Sequence, residues 1–384
     1  MIIKNLKIKF FFYDRIFPLL SVVNRLFKHK DNKILFYCNL SFRDNNKALY
    51  DYMISKGYNN RYRILVSSSD YHQYKNDAPS NVSFIGPFKA ILAFFTCKYV
   101  IYCIGKIPIE PAKDQMIMHM GHGMPMKDAS QGQLKYTNGR VYFSYLLSTS
   151  EVFAPIMARI YAFPKEKMII AGNPKCEPLF EPSPNYDFGN YNKIIFWAPT
   201  FRKSVSMNMQ DTAGEQKILP VVEIKDFEKL NSYLKSIGVK IVIKLHPEQD
   251  LSMYNVVDMD YLILLSHNEF LRRGMDIYRF MKQCDAMITD YSSIYYDYML
   301  LDRPIAFTED DMKDYAEHRG FSVDPEFFRP GMKINTTEDV CEFAKDVAEG
   351  NDRFKLAREK VNDVVNEYKD GRFSERILSI MGIK

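Results

Sequence analysis

At 384 residues, with 47% hydrophobic, 14% aromatic and 26% charged residues, the chain is long enough for two ordinary domains, and its composition excludes disorder and low-complexity structure. Its six cysteines (38, 97, 103, 176, 284 and 341) form no CxxC pair and no metal-ligand spacing, so they read as reduced residues of a cytosolic protein. The net charge of +5 is concentrated at the front: residues 1–33 hold eight Lys or Arg against Asp14 and Asp31, which leaves the remainder about neutral.

Residues 1–30 interleave those charges with Ile2, Ile3, Leu6, Ile8, Phe10, Phe11, Phe12, Ile16, Phe17, Leu19 and Leu20. No apolar run reaches the roughly 18 residues that span a bilayer, and Asp14-Arg15 interrupts the best candidate. Nor does a small-residue cleavage site follow, so no signal peptide is expected. Two readings stand open: a basic amphipathic segment lying on an anionic membrane surface, or a first helix covering a domain core. Nucleic acid is not an expected partner, because no basic patch with interleaved aromatics recurs.

Beyond this segment, short β-type runs alternate with helical patterns, the signature of parallel α/β sheets. Strands are expected at 33–38, 63–69, 82–86, 99–104, 115–120 and 167–172. A stretch rich in Pro, Asn and Gly then reads as a linker over 181–192, after which the alternation restarts with strands at 193–199, 241–247, 261–265, 286–289 and 304–308. Helices are expected over 226–237, ended by Gly238, and over 294–301. The expected domains are 31–180 and 193–365, with a closing amphipathic helix within 366–384. The fold class is α/β, two Rossmann-type doubly wound domains facing a central cleft, with ligand at the carboxyl ends of the strands.

The polar residues that follow the strands make a coherent set. Thr200 and Arg202 follow the strand at 193, His246 follows the next, and Asp290, Ser292 and Ser293 follow AMIT. Hydroxyls, an imidazole and a guanidinium can each donate to a phosphate oxygen. Ser292 and Ser293 stand where a helix begins, so their hydroxyls and the first-turn N–H groups converge on one point. Asp297, four residues past Ser293, has reach to a ribose hydroxyl; the alternative is a serine N-cap with Asp297 as a surface charge. In the first half, MHMGHGMPMK places His122 between Gly121 and Gly123 with Lys127 nearby, a pattern suited to a general base toward an acceptor hydroxyl. His119 reads as buried in its strand. No metal and no cofactor is expected, since His119 and His122 lack a third ligand and Asp258-Met-Asp260 precedes a strand.

At these residues the sequence resembles the CDP-glycerol glycerophosphotransferases of bacterial teichoic acid and capsule synthesis. The motifs that carry the resemblance appear in order as GHGMPMK, GNPKCEPLF, WAPTFR, KLHP, ITDYSSIYYDYMLLDRPIAF, RGFSVDPEFFRPG and DGRFSERI, between about 115 and 380. It departs where Gly121 precedes HG in place of an aromatic and Met-Pro-Met follows in place of Thr-Pro-Leu. The resemblance implies a GT-B-like fold and transfer of glycerol phosphate from CDP-glycerol, or a related CDP-polyol, to a polymer or lipid-linked acceptor, with release of CMP. By the same likeness His122 is the base, and His246, Ser292 and Ser293 clamp the pyrophosphate with help from Thr200 and Arg202. The implied location is cytoplasmic, peripheral at the inner face of the bacterial cell membrane. CDP-ribitol in place of CDP-glycerol, primase and polymerase, a nucleotide-sugar glycosyltransferase, and an idle assembly protein remain as alternatives.

Overall fold

The computed structural model describes residues 11–128, 140–200, 203–204, 209–210, 219–245, 259–318 and 320–384. The chain divides into two compact units: Met1–Met124, Ala129–Glu177 and Asn366–Lys384 in the first, and Pro125–Asp128 with Pro178–Val365 in the second.

The first unit is built on seven parallel strands: β1 (Lys30–Tyr37), β2 (Arg63–Ser67), β3 (Val82–Ile85), β4 (Cys97–Tyr102), β5 (Met116–His119), β6 (Tyr145–Ser148) and β7 (Met168–Ile170), in the order β3-β2-β1-β4-β5-β6-β7. Consecutive residues Ile34, Leu35 and Phe36 of β1 are all fully buried, because helices cover both sheet faces. One face packs Ile34, Phe36, Val66, Ile101 and Met118 against Leu49 and Met53 of the helix Asp44–Ser55 and against Ile377 and Leu378 of the helix Phe373–Ile380. The second unit repeats the plan with β8 (Lys193–Ala198), β11 (Val239–Lys244), β12 (Leu262–Leu265), β13 (Ala286–Thr289), β14 (Ile305–Thr308) and β15 (Met332–Ile334), ordered β12-β11-β8-β13-β14-β15 and all parallel. A two-residue antiparallel hairpin, β9 (Lys203–Ser204) and β10 (Met209–Gln210), lies apart from this sheet. Its core joins Ile195, Trp197, Ile243 and Ile288 to Leu230 and Leu234 of the helix Phe227–Ile237 and to Val340 and Ala344 of the helix Thr337–Glu349. The helix Phe227–Ile237 ends on Gly238 with φ +69°, as its sequence foretold.

Four strands have no counterpart in the sequence reading: β6, β9, β10 and β15. β9 and β10 have only two residues each, and Lys333 breaks the run of β15. The stretch read as a linker packs onto the second unit instead: Phe188 is buried against Phe280, and Gln283 pairs with both the amide and the carbonyl of Tyr186 at 2.8 Å. The last residues return to the first unit, where Ser374 donates through its amide and hydroxyl to the buried Glu177 carboxylate.

The front helix, Phe17–Asn24, docks by its polar residues. Ser21 accepts from the Glu110 amide at 3.0 Å, and Asn24 donates to Gln115 Oε1 at 2.6 Å and to the Glu110 carbonyl at 3.1 Å. Leu19, Val22, Val23, Leu26 and Phe27 point to solvent, Leu26 with 81% of its surface open. No helix among the described residues is long and apolar enough to cross a membrane.

Gly172, with φ +80°, lies where a Cβ would stand 2.4 Å from Phe373 Cδ1, so the returning helix depends on the missing side chain. Gly172→Ala is expected to destabilise the protein by more than about 1–2 kcal/mol, the backbone cost of a left-handed alanine, because the new methyl also meets the ring. In a Phe373→Ala background the cost of Gly172→Ala should shrink to the backbone part. Denaturant titration of the four proteins measures this; equal costs in both backgrounds would mean that the close approach carries no energy.

Candidate functional site

In the second unit the strand order reverses between β8 and β13, so the loops after these strands open the crevice expected of a doubly wound sheet. The two edges are stitched together. Thr289 Oγ1 donates to the Ala198 carbonyl at 2.7 Å, and the fully buried Asp290 carboxylate accepts from the Thr200 amide at 2.7 Å, from the Thr200 hydroxyl, and from the Tyr291 amide at 2.6 Å. Asp290 is therefore a brace, whose charge is satisfied internally. Thr200 has one hydroxyl proton and gives it to Asp290, so it positions the edge and does not offer that proton to a phosphate.

Ser292 and Ser293 differ from their neighbours. Both are half-buried, neither hydroxyl hydrogen-bonds to any described residue, and Ser293 occupies the N-cap of the helix Ile294–Tyr298 without capping it. The N-cap alternative thus fails on the geometry, and two hydroxyls stand uncommitted at the crevice. Asp297 is not a surface charge: it is buried and accepts from the Tyr278 hydroxyl at 2.9 Å, which places it in the wall of the unit and leaves a role toward ribose unsupported. Arg202 and His246 lie outside the described residues.

The segment 320–331, part of the motif RGFSVDPEFFRPG, is a prop for this crevice. It contains the short helix Pro325–Phe328 followed directly by Arg329, whose guanidinium is buried. Arg329 donates to Glu309 at 2.6 Å and stacks 5.1 Å from the Tyr291 ring and 4.9 Å from that of Phe307. Lys127 also belongs to this unit. It bridges Phe321, its carbonyl accepts from Ser322 Oγ at 3.0 Å, and its ammonium lies 5.5 Å from the centre of the Tyr315 ring.

In the first unit the reversal falls between β1 and β4, and the next loop, after β5, carries His122. Gly121 and Gly123 have φ +65° and +139°, so both glycines are conformationally required. The polar groups of this loop's backbone are tied down: the Gly121 amide donates to His119 Nδ1 at 3.1 Å, the Gly121 carbonyl accepts from Asn45 at 3.1 Å and Cys103 at 3.1 Å, and the His122 carbonyl accepts from Lys175 at 2.6 Å. His119 is buried among Tyr102, Phe143 and Tyr161, and burial drives its pKa down from the ordinary 6.5 to about 3. It is neutral in the native state, so the stability it lends above pH 6.5 is lost as pH falls toward 3. His122 keeps an exposed face, yet the protein crowded around it lowers its pKa; the Asp44 carboxylate opposes this, and the Lys175 ammonium and Arg43 add to it. A neutral, solvent-open imidazole on a fixed loop can accept a proton.

Residues 19–381 match the family described as CDP-Glycerol:Poly(glycerophosphate) glycerophosphotransferase. The chain belongs to this family. Among the relatives of this glycerophosphotransferase-family chain are two proteins of Bacillus spizizenii. One is a teichoic acid poly(ribitol-phosphate) polymerase, 22% identical over 93% of the chain and 57% of its own length, and the other a teichoic acid poly(glycerol phosphate) polymerase, 24% identical over 80% and 79%. The teichoic acid ribitol-phosphate polymerase TarK of Staphylococcus aureus is 28% identical over 63% and 45%. The chain thus spans less than two thirds of the length of several relatives. The solved wall teichoic acid polymerase TagF superposes with a TM-score of 0.70 at 17% identity, covering 96% of this chain and 93% of that one. That likeness establishes the GT-B-like α/β fold.

Sequence reasoning assigned no role to Asp44, Asn45, Lys175 or Arg329. The last two do lie inside motifs quoted from the sequence, GNPKCEPLF and RGFSVDPEFFRPG. As a brace, Thr200 yields a specific expectation: Thr200→Val should lower stability by about 1–2 kcal/mol while affinity for a nucleoside diphosphate probe changes less than threefold. Thermal melts and calorimetry check it, and a tenfold loss of affinity at unchanged stability would make Thr200 a phosphate ligand instead.

Proposed function

We propose that the chain transfers glycerol phosphate from CDP-glycerol to a hydroxyl of a cell-wall or capsular polymer or a lipid-linked acceptor, releasing CMP. The observation that carries this reading is the pair of uncommitted hydroxyls, Ser292 and Ser293, at the switch point of a chain whose family match runs from 19 to 381. The acceptor oxygen attacks the β-phosphorus, a new P–O bond forms, and the bond to the bridging oxygen breaks with its electron pair leaving on CMP. The acceptor's proton passes to His122 and then to solvent. Ser292 and Ser293 hold the pyrophosphate, with His246 and Arg202 assigned to the same task from the sequence. A solved TagF variant soaked with CDPG is a structural neighbour, and relatives named for ribitol phosphate make CDP-ribitol the alternative donor.

Ser293→Ala is expected to weaken CDP-glycerol binding about tenfold, since a charged hydrogen bond of about 1.5–3 kcal/mol is lost. His122→Ala should leave binding intact and lower CMP release on an oligo(glycerol phosphate) acceptor by about a hundredfold. Calorimetry and a CMP-release assay with both CDP-polyols measure these; tighter binding and faster turnover with CDP-ribitol would reassign the donor, and wild-type kinetics in His122→Ala would remove the base.

We further place the protein peripherally on the inner face of the cell membrane. Support comes from the front helix, where Leu19, Val22, Val23, Leu26 and Phe27 face solvent beside the exposed Lys28 and Lys30. Phe27 lies 5.5 Å from Phe95, at the end of the helix Pro87–Phe94, which exposes Phe88 and Leu92. An apolar surface edged by cations suits anionic headgroups. Leu19→Glu combined with Leu26→Glu touches none of the helix's buried polar contacts, so it should keep the fold and abolish sedimentation with phosphatidylglycerol vesicles. Undiminished sedimentation would withdraw the membrane role.

A further inference from the structure

The first residues of the helix Asp44–Ser55 lie against the loop that carries His122, and they hold a feature for which packing gives no reason. Asp44 adopts φ +61°, a left-handed conformation that a non-glycine residue enters at a cost. Its carboxylate accepts from the Asn45 amide at 2.8 Å and stands 3.7 Å from the Lys175 ammonium. That ammonium is buried and donates to the His122 carbonyl at 2.6 Å. Asn45, fully buried, ties the same elements together through the Gly121 carbonyl, Asn173 Oδ1 at 3.2 Å and the Lys175 amide at 3.2 Å. A charge pair and an amide thus converge on one loop from two separate parts of the chain.

We infer that Asp44 and Lys175 are positioning residues for proton abstraction, Lys175 fixing the His122 loop through its carbonyl and Asp44 balancing the charge that the imidazole acquires when it takes the acceptor's proton. The inference rests on the reading of His122 as the base. The imidazole gains a proton and a positive charge as the acceptor oxygen attacks phosphorus. A carboxylate already held in place lowers the energy of that state without reorganisation. The strained backbone of Asp44 is consistent with placement of the carboxylate taking precedence over local comfort. The charged and titratable groups around the imidazole are Asp44 and Arg43 at the helix start, Lys175 on the turn Pro174–Leu179, His119 on β5, and Cys103 just past β4.

The two charges act on His122 in opposite senses, and this gives the test. In the pH profile of kcat/KM for CMP release from CDP-glycerol with an oligo(glycerol phosphate) acceptor, the acidic limb reports deprotonation of the base. Asp44→Asn removes a group that favours the imidazolium, so the limb should move to lower pH while the plateau falls tenfold or more. Lys175→Gln removes a group that disfavours it, so the limb should move to higher pH. Asp44→Glu should recover part of the plateau. CDP-glycerol affinity by calorimetry should stay within twofold in all three, which also establishes that they are folded. If His122→Ala in the same assay turns over normally, the base assignment fails. If His122→Ala is inactive but Asp44→Asn keeps the wild-type plateau and acidic limb, the positioning role alone is overturned. Parallel loss of rate in Asp44→Asn and Lys175→Gln with no movement of either limb reduces the pair to loop scaffolding and overturns the electrostatic role.

Discussion

A parallel sheet with helices on both faces disfavours polar side chains along its strands, and this constraint organises much else in the molecule. Ile34, Leu35 and Phe36 in one unit and Ile194, Ile195, Phe196 and Trp197 in the other are buried without alternation. Groups able to handle a charged substrate are therefore displaced to the loops after the strands, and the useful loops are those at the reversal of strand order, where neighbouring helices leave on opposite sides. Both units have that reversal beside their first strand, at β1 and β4 in one and at β8 and β13 in the other. The chemistry-bearing residues of each unit follow from its own topology.

Such an edge would splay without internal ties, and each unit solves this with a buried ionic group. Asp290 takes three donors from Thr200 and Tyr291, and Arg329 lies behind Tyr291 with its charge matched by Glu309. In the first unit Lys175 and Asn45 perform the same task for the loop of His122. A buried ion pair gives little net stability because desolvation offsets its attraction. Its retention at the edges and not in the sheets is understandable if it fixes loop geometry.

Most of the architecture was legible in the sequence because buried parallel strands read as short unbroken apolar runs: eleven of the strands coincide with runs such as RILVS and AMIT. β6, β9, β10 and β15 escaped; β9 and β10 have two residues each, and Lys333 breaks the run of β15. The serine pair was legible as well, since two hydroxyls after AMIT and before a helix form a local signal. The role of Thr200 was not, because whether a hydroxyl proton faces ligand or carboxylate depends on Asp290, ninety residues away. Asp44 was invisible for the same reason: nothing in SFRDNNKAL indicates that its carboxylate meets a lysine 131 positions later. Long-range pairing of polar groups leaves no periodic trace.

The front helix shows how composition alone can mislead about direction. Its apolar residues and cations were compatible with covering a core, and the usual expectation is that Leu and Val turn inward. Here Ser21 and Asn24 turn inward instead, with His29 beyond the helix end, because Glu110, Gln115 and Asp114 offer them hydrogen-bond partners, including a 2.8 Å contact between His29 and Asp114. Burying these polar groups would be unfavourable without such partners. With them satisfied, the helix holds its position by polar docking, and the apolar face is left over. A face of that kind incurs a solvation cost whenever it meets water, about 25 cal/mol for each Å². The cost is removed only by something that covers the face.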